Sequence, residues 1–154
     1  MTILLDIDGV MVSAKPWSPP PRRPDGFYDF RQAAVIALNQ IIASSGADIL
    51  LTTSHRHSFT LNDWKTLFAD RNITVNKISR LPQYEERLTR REEILKWYDM
   101  KNAHNFVIID DDKSLHDLPS ELKSKWIQTQ PFIGLTQALA SESIAVLGTS
   151  RVPV

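Results

Sequence analysis

Apolar and polar positions follow two rhythms along this chain. Compact aliphatic runs at 3–7 (ILLDI), 48–51 (DILL) and 106–109 (FVII) are each closed by polar residues, the pattern of short buried strands. Ile73 to Val75 and Trp126 to Gln128 are read as two further, weaker strands. Between them, apolar residues recur at helical spacing. Ala34, Val35, Leu38, Ile41 and Ile42 form one such face, with Asp29 as the expected N-cap and Gly46 as the stop. Leu61, Trp64, Leu67 and Phe68 form a second behind a Thr60/Asp63 capping arrangement. Ile94, Leu95, Trp97 and Tyr98 form a third behind a T-x-x-E capping box, Thr89 to Glu92. Thr136 caps a last short helix, and residues 141–154 are left as an unassigned tail.

Strands alternating with helices predict an α/β fold, a Rossmann-like three-layer α/β/α sandwich around a parallel sheet of about five strands, because each parallel crossover needs a helix to return the chain. One segment breaks the rhythm. Residues 13–28 (SAKPWSPPPRRPDGFY) hold five of the nine prolines and two arginines, which excludes regular helix or a central strand and predicts a stiff flap.

Composition narrows the classes. The 154 residues suit one domain, and 42% hydrophobic with 23% charged residues is the mix of an ordinary globular protein. Eighteen basic residues match eighteen acidic ones, so no global field favours non-specific nucleic-acid or membrane binding. With no cysteine, disulfides, thiolate zinc sites and thiol chemistry are excluded. No apolar run approaches the ~20 residues of a membrane span, and no basic segment followed by an apolar one opens the chain, so a cytoplasmic address is expected.

The chemistry gathers at the strand ends. Asp6 and Asp8 close the first strand, Thr52 and Thr53 the second, and Asp110 and Asp111 the fourth. In a parallel sheet these ends share one edge, where α/β proteins bind ligands. Carboxylates brought together repel unless a cation compensates, and oxygen donors without His or Cys point to Mg²⁺, which completes its shell with substrate phosphate. In an Asp-x-Asp pair, the first acid can reach a metal and a substrate atom while the second protonates a leaving group. Gly9 lets the backbone turn closely past the bound group. Arg56, with His55 and His57, is placed to line the substrate groove.

LLDIDGV, ILLTTS and FVIIDDD, in that order, resemble motifs one, two and four of the haloacid dehalogenase-like (HAD) phosphohydrolase superfamily, and their spacing covers residues 3 to about 140. The resemblance implies a phosphatase with Asp6 as the nucleophile that becomes aspartyl-phosphate and Asp8 as general acid and then base, its main-chain carbonyl offered to Mg²⁺. It implies Thr52 hydrogen-bonded to the transferring phosphoryl group, Thr53 lending a backbone N–H, and Asp111 as a metal ligand supported by Asp110. The lysine expected as motif three is replaced in LTRREEILKWY by Arg90 at the first helical position, with Arg91 next and Lys77, supplied from a loop, as the alternative. An arginine keeps the charge and can bind phosphate in a bidentate manner.

LLTTSHR, REEILKWY, VIIDDD and GLTQAL are also similar to a compact group of the superfamily without a large cap domain, which includes phosphatase domains of RNA-repair proteins. The site is then expected to be open to a bulky phosphorylated substrate, such as a nucleic-acid end or a phosphoprotein, as well as to nucleotides. The substituted lysine also fits a second reading, a non-catalytic phosphate- or partner-binding module that keeps the acids as a metal site.

Overall fold

Short aliphatic segments satisfy their backbone only by pairing, and five do so here: β1 (Thr2–Leu5), β2 (Asp48–Leu51), β3 (Ile78–Arg80), β4 (Phe106–Asp110) and β5 (Trp126–Gln128). The computed structural model describes residues 1–103 and 105–149. Every pairing is parallel, in the order β3-β2-β1-β4-β5. Leu5 faces Leu51 on one side and Ile109 on the other, so the polar residues that follow all three strands emerge at one level.

Because side chains alternate across a strand, the sheet builds two apolar layers. Ile3, Leu5, Ile49, Leu51, Val107 and Ile109 join the core beneath α1 (Gln32–Ser45), α2 (Leu61–Asp70) and α5 (Gln137–Thr149). Leu4, Leu50 and Ile108 face the other way, towards α3 (Arg90–Lys101), a 3-10 turn at Lys113–Asp117 and the short α4 (Ser120–Lys123). The fold is therefore the expected Rossmann-like α/β sandwich. The segments between strands carry no large cap domain among the described residues, and no helix among them is long and apolar enough to cross a membrane.

The helix signals act as their chemistry dictates. Thr60 and Thr89 accept the N–H groups of Asp63 and Glu92, and Glu92 returns a carboxylate to the Thr89 N–H, closing the capping box. Gly46 ends α1 at φ +69°, where its N–H bonds the Ile42 carbonyl at 2.7 Å. Four expectations need correction. Asp29 does not cap α1; Arg31 occupies the N-cap position without a side-chain bond, and Asp29 pairs with Arg23 at 3.6 Å instead. Leu61, at the start of α2, is exposed, while Trp64, Leu67 and Phe68 are buried. The third strand is not Ile73–Val75 but Ile78–Arg80. Asn72 turns the chain at φ +64°, and Ile73 and Val75 bury their side chains from a loop. The last helix is longer than expected, extending beyond residue 141 to Thr149; residues 150–154 lie outside the described part.

Residues 13–28 form neither helix nor strand. Phe27, 4% exposed, inserts among Phe30, Phe59 and Trp64 with edge-to-face ring contacts. Arg71, the C-cap residue of α2, lies beneath this segment and grips Asp25 through Nη1 and Nη2 at 2.7 and 3.0 Å.

Candidate functional site

The strand register carries Asp6, Thr52 and Asp110 to one edge of the sheet, all three buried. One oxygen each of Asp6, Asp110 and Asp111 can be chosen so that all lie within 4.8 Å of one another. Arg90, the first residue of α3, reaches into this group. Its Nη1 donates to Asp110 Oδ2 at 2.7 Å and to Thr52 Oγ1 at 3.2 Å, and lies 3.5 Å from Asp6 Oδ1. A single guanidinium nitrogen thus joins three strand ends.

Electrostatics follow from that crowding. Burial pushes the carboxyls of Asp6 and Asp110 above the ordinary range, and Arg90 pulls both back. Burial, then the neighbouring Asp110, raises Asp111 to about 6. For Arg90, burial works against the charge, but Asp110, Asp6 and Glu93 outweigh it, so its pKa is pushed up and the side chain stays a cation. Three carboxylates facing one guanidinium leave uncompensated negative charge, and the donors are all oxygen. That set fits a hard divalent cation. Asp110 has both oxygens engaged, Oδ1 by the Asp112 N–H at 3.0 Å and Oδ2 by Arg90, so Asp6 and Asp111 are the freer ligands.

Gly9 is bound to its place by two constraints. Its φ is +80°, and a Cβ there would overlap the Asp111 carboxylate. Its carbonyl accepts the Thr129 hydroxyl at 2.7 Å, which fastens the turn after β1 to the end of β5. Asp8 stands apart from the three clustered acids. Its side chain is 42% exposed, and Oδ2 lies 2.9 Å from His55 Nε2. Thr53 is buried, with Oγ1 accepting the His55 N–H at 3.2 Å, and the flap rings Phe27 and Tyr28 pack edge-on against the His55 imidazole.

Three of the expected phosphate contacts are placed elsewhere. Arg56 is buried, and its five donors go to the carbonyls of Leu81, Thr52, Thr53 and Pro82 and to Glu93. It ties the β2 and β3 ends together and has no donor left for a ligand. Arg91 donates Nε to the Asp117 carbonyl at 3.2 Å, towards the 3-10 turn. Lys77 precedes β3, and its carbonyl bonds the Ile49 N–H at 3.0 Å, so it sits at the amino end of the sheet, opposite the site. Of the motif-three candidates, only Arg90 is at the cluster. Glu93 escaped the sequence reading. Three residues after Arg90 on one helix face, it lies 3.5 Å from the Arg90 Nε and also pairs with Arg56; the i, i+3 spacing was the available signal.

Residues 2–140 match the family described as the HAD domain in Swiss Army Knife RNA repair proteins. No curated protein matches the chain. The match spans most of the sequence and includes every strand of the sheet, and the chain belongs to this family.

Proposed function

We propose, from this membership, that the chain is a Mg²⁺-dependent phosphatase that hydrolyses phosphate monoesters at nucleic-acid ends through an aspartyl-phosphate on Asp6. The observation that carries the reading is the Arg90 Nη1, within 3.5 Å of Asp6, Thr52 and Asp110, in the place a motif-three lysine would take. Nucleic-acid ends are taken as the substrate class because the matched family is described from RNA repair proteins.

In this reading an Asp6 carboxylate oxygen attacks phosphorus while Asp8, protonated, gives its proton to the departing alkoxide. Asp8, now a carboxylate, takes a proton from water as the water oxygen attacks the phosphorus, and the Asp6–phosphate bond breaks to release inorganic phosphate. Asp8 is suited to both proton transfers because it is the more exposed acid and is held by His55. The Thr52 hydroxyl accepts from Arg90, which leaves its own proton directed to a phosphoryl oxygen. Mg²⁺ held by Asp6 and Asp111, with Asp110 behind them, would offset the charge of the phosphoryl group.

The test is phosphate release from 5′- and 3′-phosphorylated oligonucleotides with Mg²⁺. Asp6→Asn is expected to reduce release to background with an unchanged circular dichroism spectrum. Activity retained in that variant would remove the aspartyl-phosphate route. A wild-type chain that binds Mg²⁺ and phosphorylated ends yet releases nothing would mark the non-catalytic alternative.

A further inference from the structure

The aromatic residues of the flap divide sharply. Phe27 and Phe30 are buried and hold the segment to the core, whereas Trp17 is 71% exposed. Its ring meets Phe132 edge to face at a centroid distance of 5.3 Å, and Phe132 and Ile133 are themselves 51% and 50% exposed. Two aromatic rings in contact, with an exposed isoleucine next in the chain, leave apolar surface in water at a standing cost, and such patches mark surfaces that are covered in use.

Their position is fixed relative to the site. The Leu135 N–H bonds the Val10 carbonyl at 2.8 Å, the Ala14 N–H bonds the Pro131 carbonyl at 2.9 Å, and the Ser13 hydroxyl bonds the Phe132 carbonyl at 3.1 Å. With Thr129 on the Gly9 carbonyl, four hydrogen bonds fasten the platform to the residues that directly follow Asp6 and Asp8. The flap is also basic. It carries Lys15, Arg22 and Arg23 against one acid, Asp25, which is already paired with Arg71. Beside the platform lies a groove of about 340 Å³ lined by Ser13, Lys15, Ser18, three prolines and Arg31. The buried Arg31 Nη1 has no hydrogen-bond partner among the described residues. Asp29, the acid in that groove, is drawn to Arg23.

Exposed aromatic faces beside a cationic groove suit a single-stranded polyanion, whose bases stack while its backbone follows the charge. We propose that Trp17 and Phe132 form the base-stacking subsite of this protein, holding the nucleobase next to the phosphate presented to Asp6, with the following backbone phosphate in the groove of Lys15 and Arg31. The proposal rests on the phosphatase reading above and names the residues that would make it selective for strand ends. A flat ring stacked on Trp17 covers the patch whatever the base, so the preference is for a base and not for a sequence.

The experiment compares Trp17→Ala with wild type on three substrates: a phosphorylated oligoribonucleotide, the same oligomer with an abasic terminal nucleotide, and a phosphopeptide. Loss of one stacked base is expected to raise KM for the first about ten-fold with kcat unchanged, and to leave the second unaffected. An equal effect on the abasic oligomer, or none on either, overturns the proposal. A Trp17-dependent KM for the phosphopeptide alone overturns it in favour of a protein substrate. Binding of the same oligomers to Asp6→Asn, read by quenching of the Trp17 fluorescence as the difference from Asp6→Asn carrying Trp17→Ala, needs no turnover. Quenching by the base-bearing but not the abasic strand upholds the subsite even if the phosphatase reading fails; no quenching removes it.

Discussion

The loop that Arg56 ties down and the cluster that Arg90 enters share one carboxylate, Glu93, and use a buried arginine in opposite ways. Arg56 spends four of its five donors on main-chain carbonyls and the fifth on Glu93. Arg71, beneath the flap, is a second case: carbonyls of Tyr28, Leu67 and Phe27 take three donors and Asp25 takes two. Among the described residues Arg90 bonds no carbonyl. Its Nη1 contacts are side chains from three strand ends, and its buried Nε has no hydrogen-bond partner among the described residues. A cation spent on carbonyls holds a loop in one place. One that faces carboxylates and a hydroxyl is set, in the proposed reaction, against groups whose charge changes when a phosphoryl group arrives.

The contrast can be broken by measuring kcat and thermal stability together. The largest effect is expected for Arg90→Ala in Mg²⁺, a loss of about 10³-fold in kcat, roughly 4 kcal/mol of transition-state stabilisation, with the chain still folded. Arg90→Lys keeps the charge and should recover all but about ten-fold. A kcat unchanged in Arg90→Ala would place Arg90 with the structural arginines. Arg56→Ala should do the reverse, costing about 3 kcal/mol of stability because Glu93 and four carbonyls lose their partner in the interior. Activity per folded molecule should stay within a few-fold of wild type, and a stable but inactive Arg56→Ala would erase the distinction.

The smallest effect belongs to the flap clamp. The Arg71 bonds hold the Asp25 carboxyl at about 2, below its ordinary 3.8. A depressed acid stabilises the fold fully above its unfolded pKa and loses that contribution as pH falls through the folded one. Wild type should therefore exceed Asp25→Asn by ~0.5 to 1 kcal/mol at pH 6, a modest figure because solvent reaches this pair. The gap should shrink from pH 4 towards pH 2 in urea unfolding. A gap independent of pH would assign the difference to packing.

Much of the fold was legible because its signals are local. Thr60, Thr89 and Gly46 act on backbone groups within four residues, and the chain around them carries the whole instruction. The third strand was not legible for a reason visible in the sheet. β3 is an edge strand beside a cleft of about 600 Å³ that α3 leaves open, so Ser79 and Arg80 need no apolar partner and only Ile78 is buried. Ile73 and Val75 carry the more strand-like residues but pack from a turn. In the site, Asp6, Thr52, Asp110 and Arg90 could be named because each ends a strand or starts a helix, and parallel register does the rest. Whether Arg56 was available to a ligand depended on carbonyls 25 and 26 residues away, at Leu81 and Pro82, and no spacing rule reports that.

Glu93 gives the site an asymmetry of stiffness. The wall that delivers Arg90 is braced through the same carboxylate to Arg56 and through it to both strand ends, so that wall cannot shift without loosening the sheet. The segment from Asp8 through the flap to Trp17 is fastened by hydrogen bonds between loops, by the buried rings of Phe27 and Phe30 and by the clamp at Asp25, with no brace of that kind to the strand ends among the described residues. If the proposed nucleic-acid ends are the substrate, adjustment to strands of different shape comes from that side, and substitutions that widen what the protein accepts should accumulate in residues 13–28 and 130–134 before they reach α3.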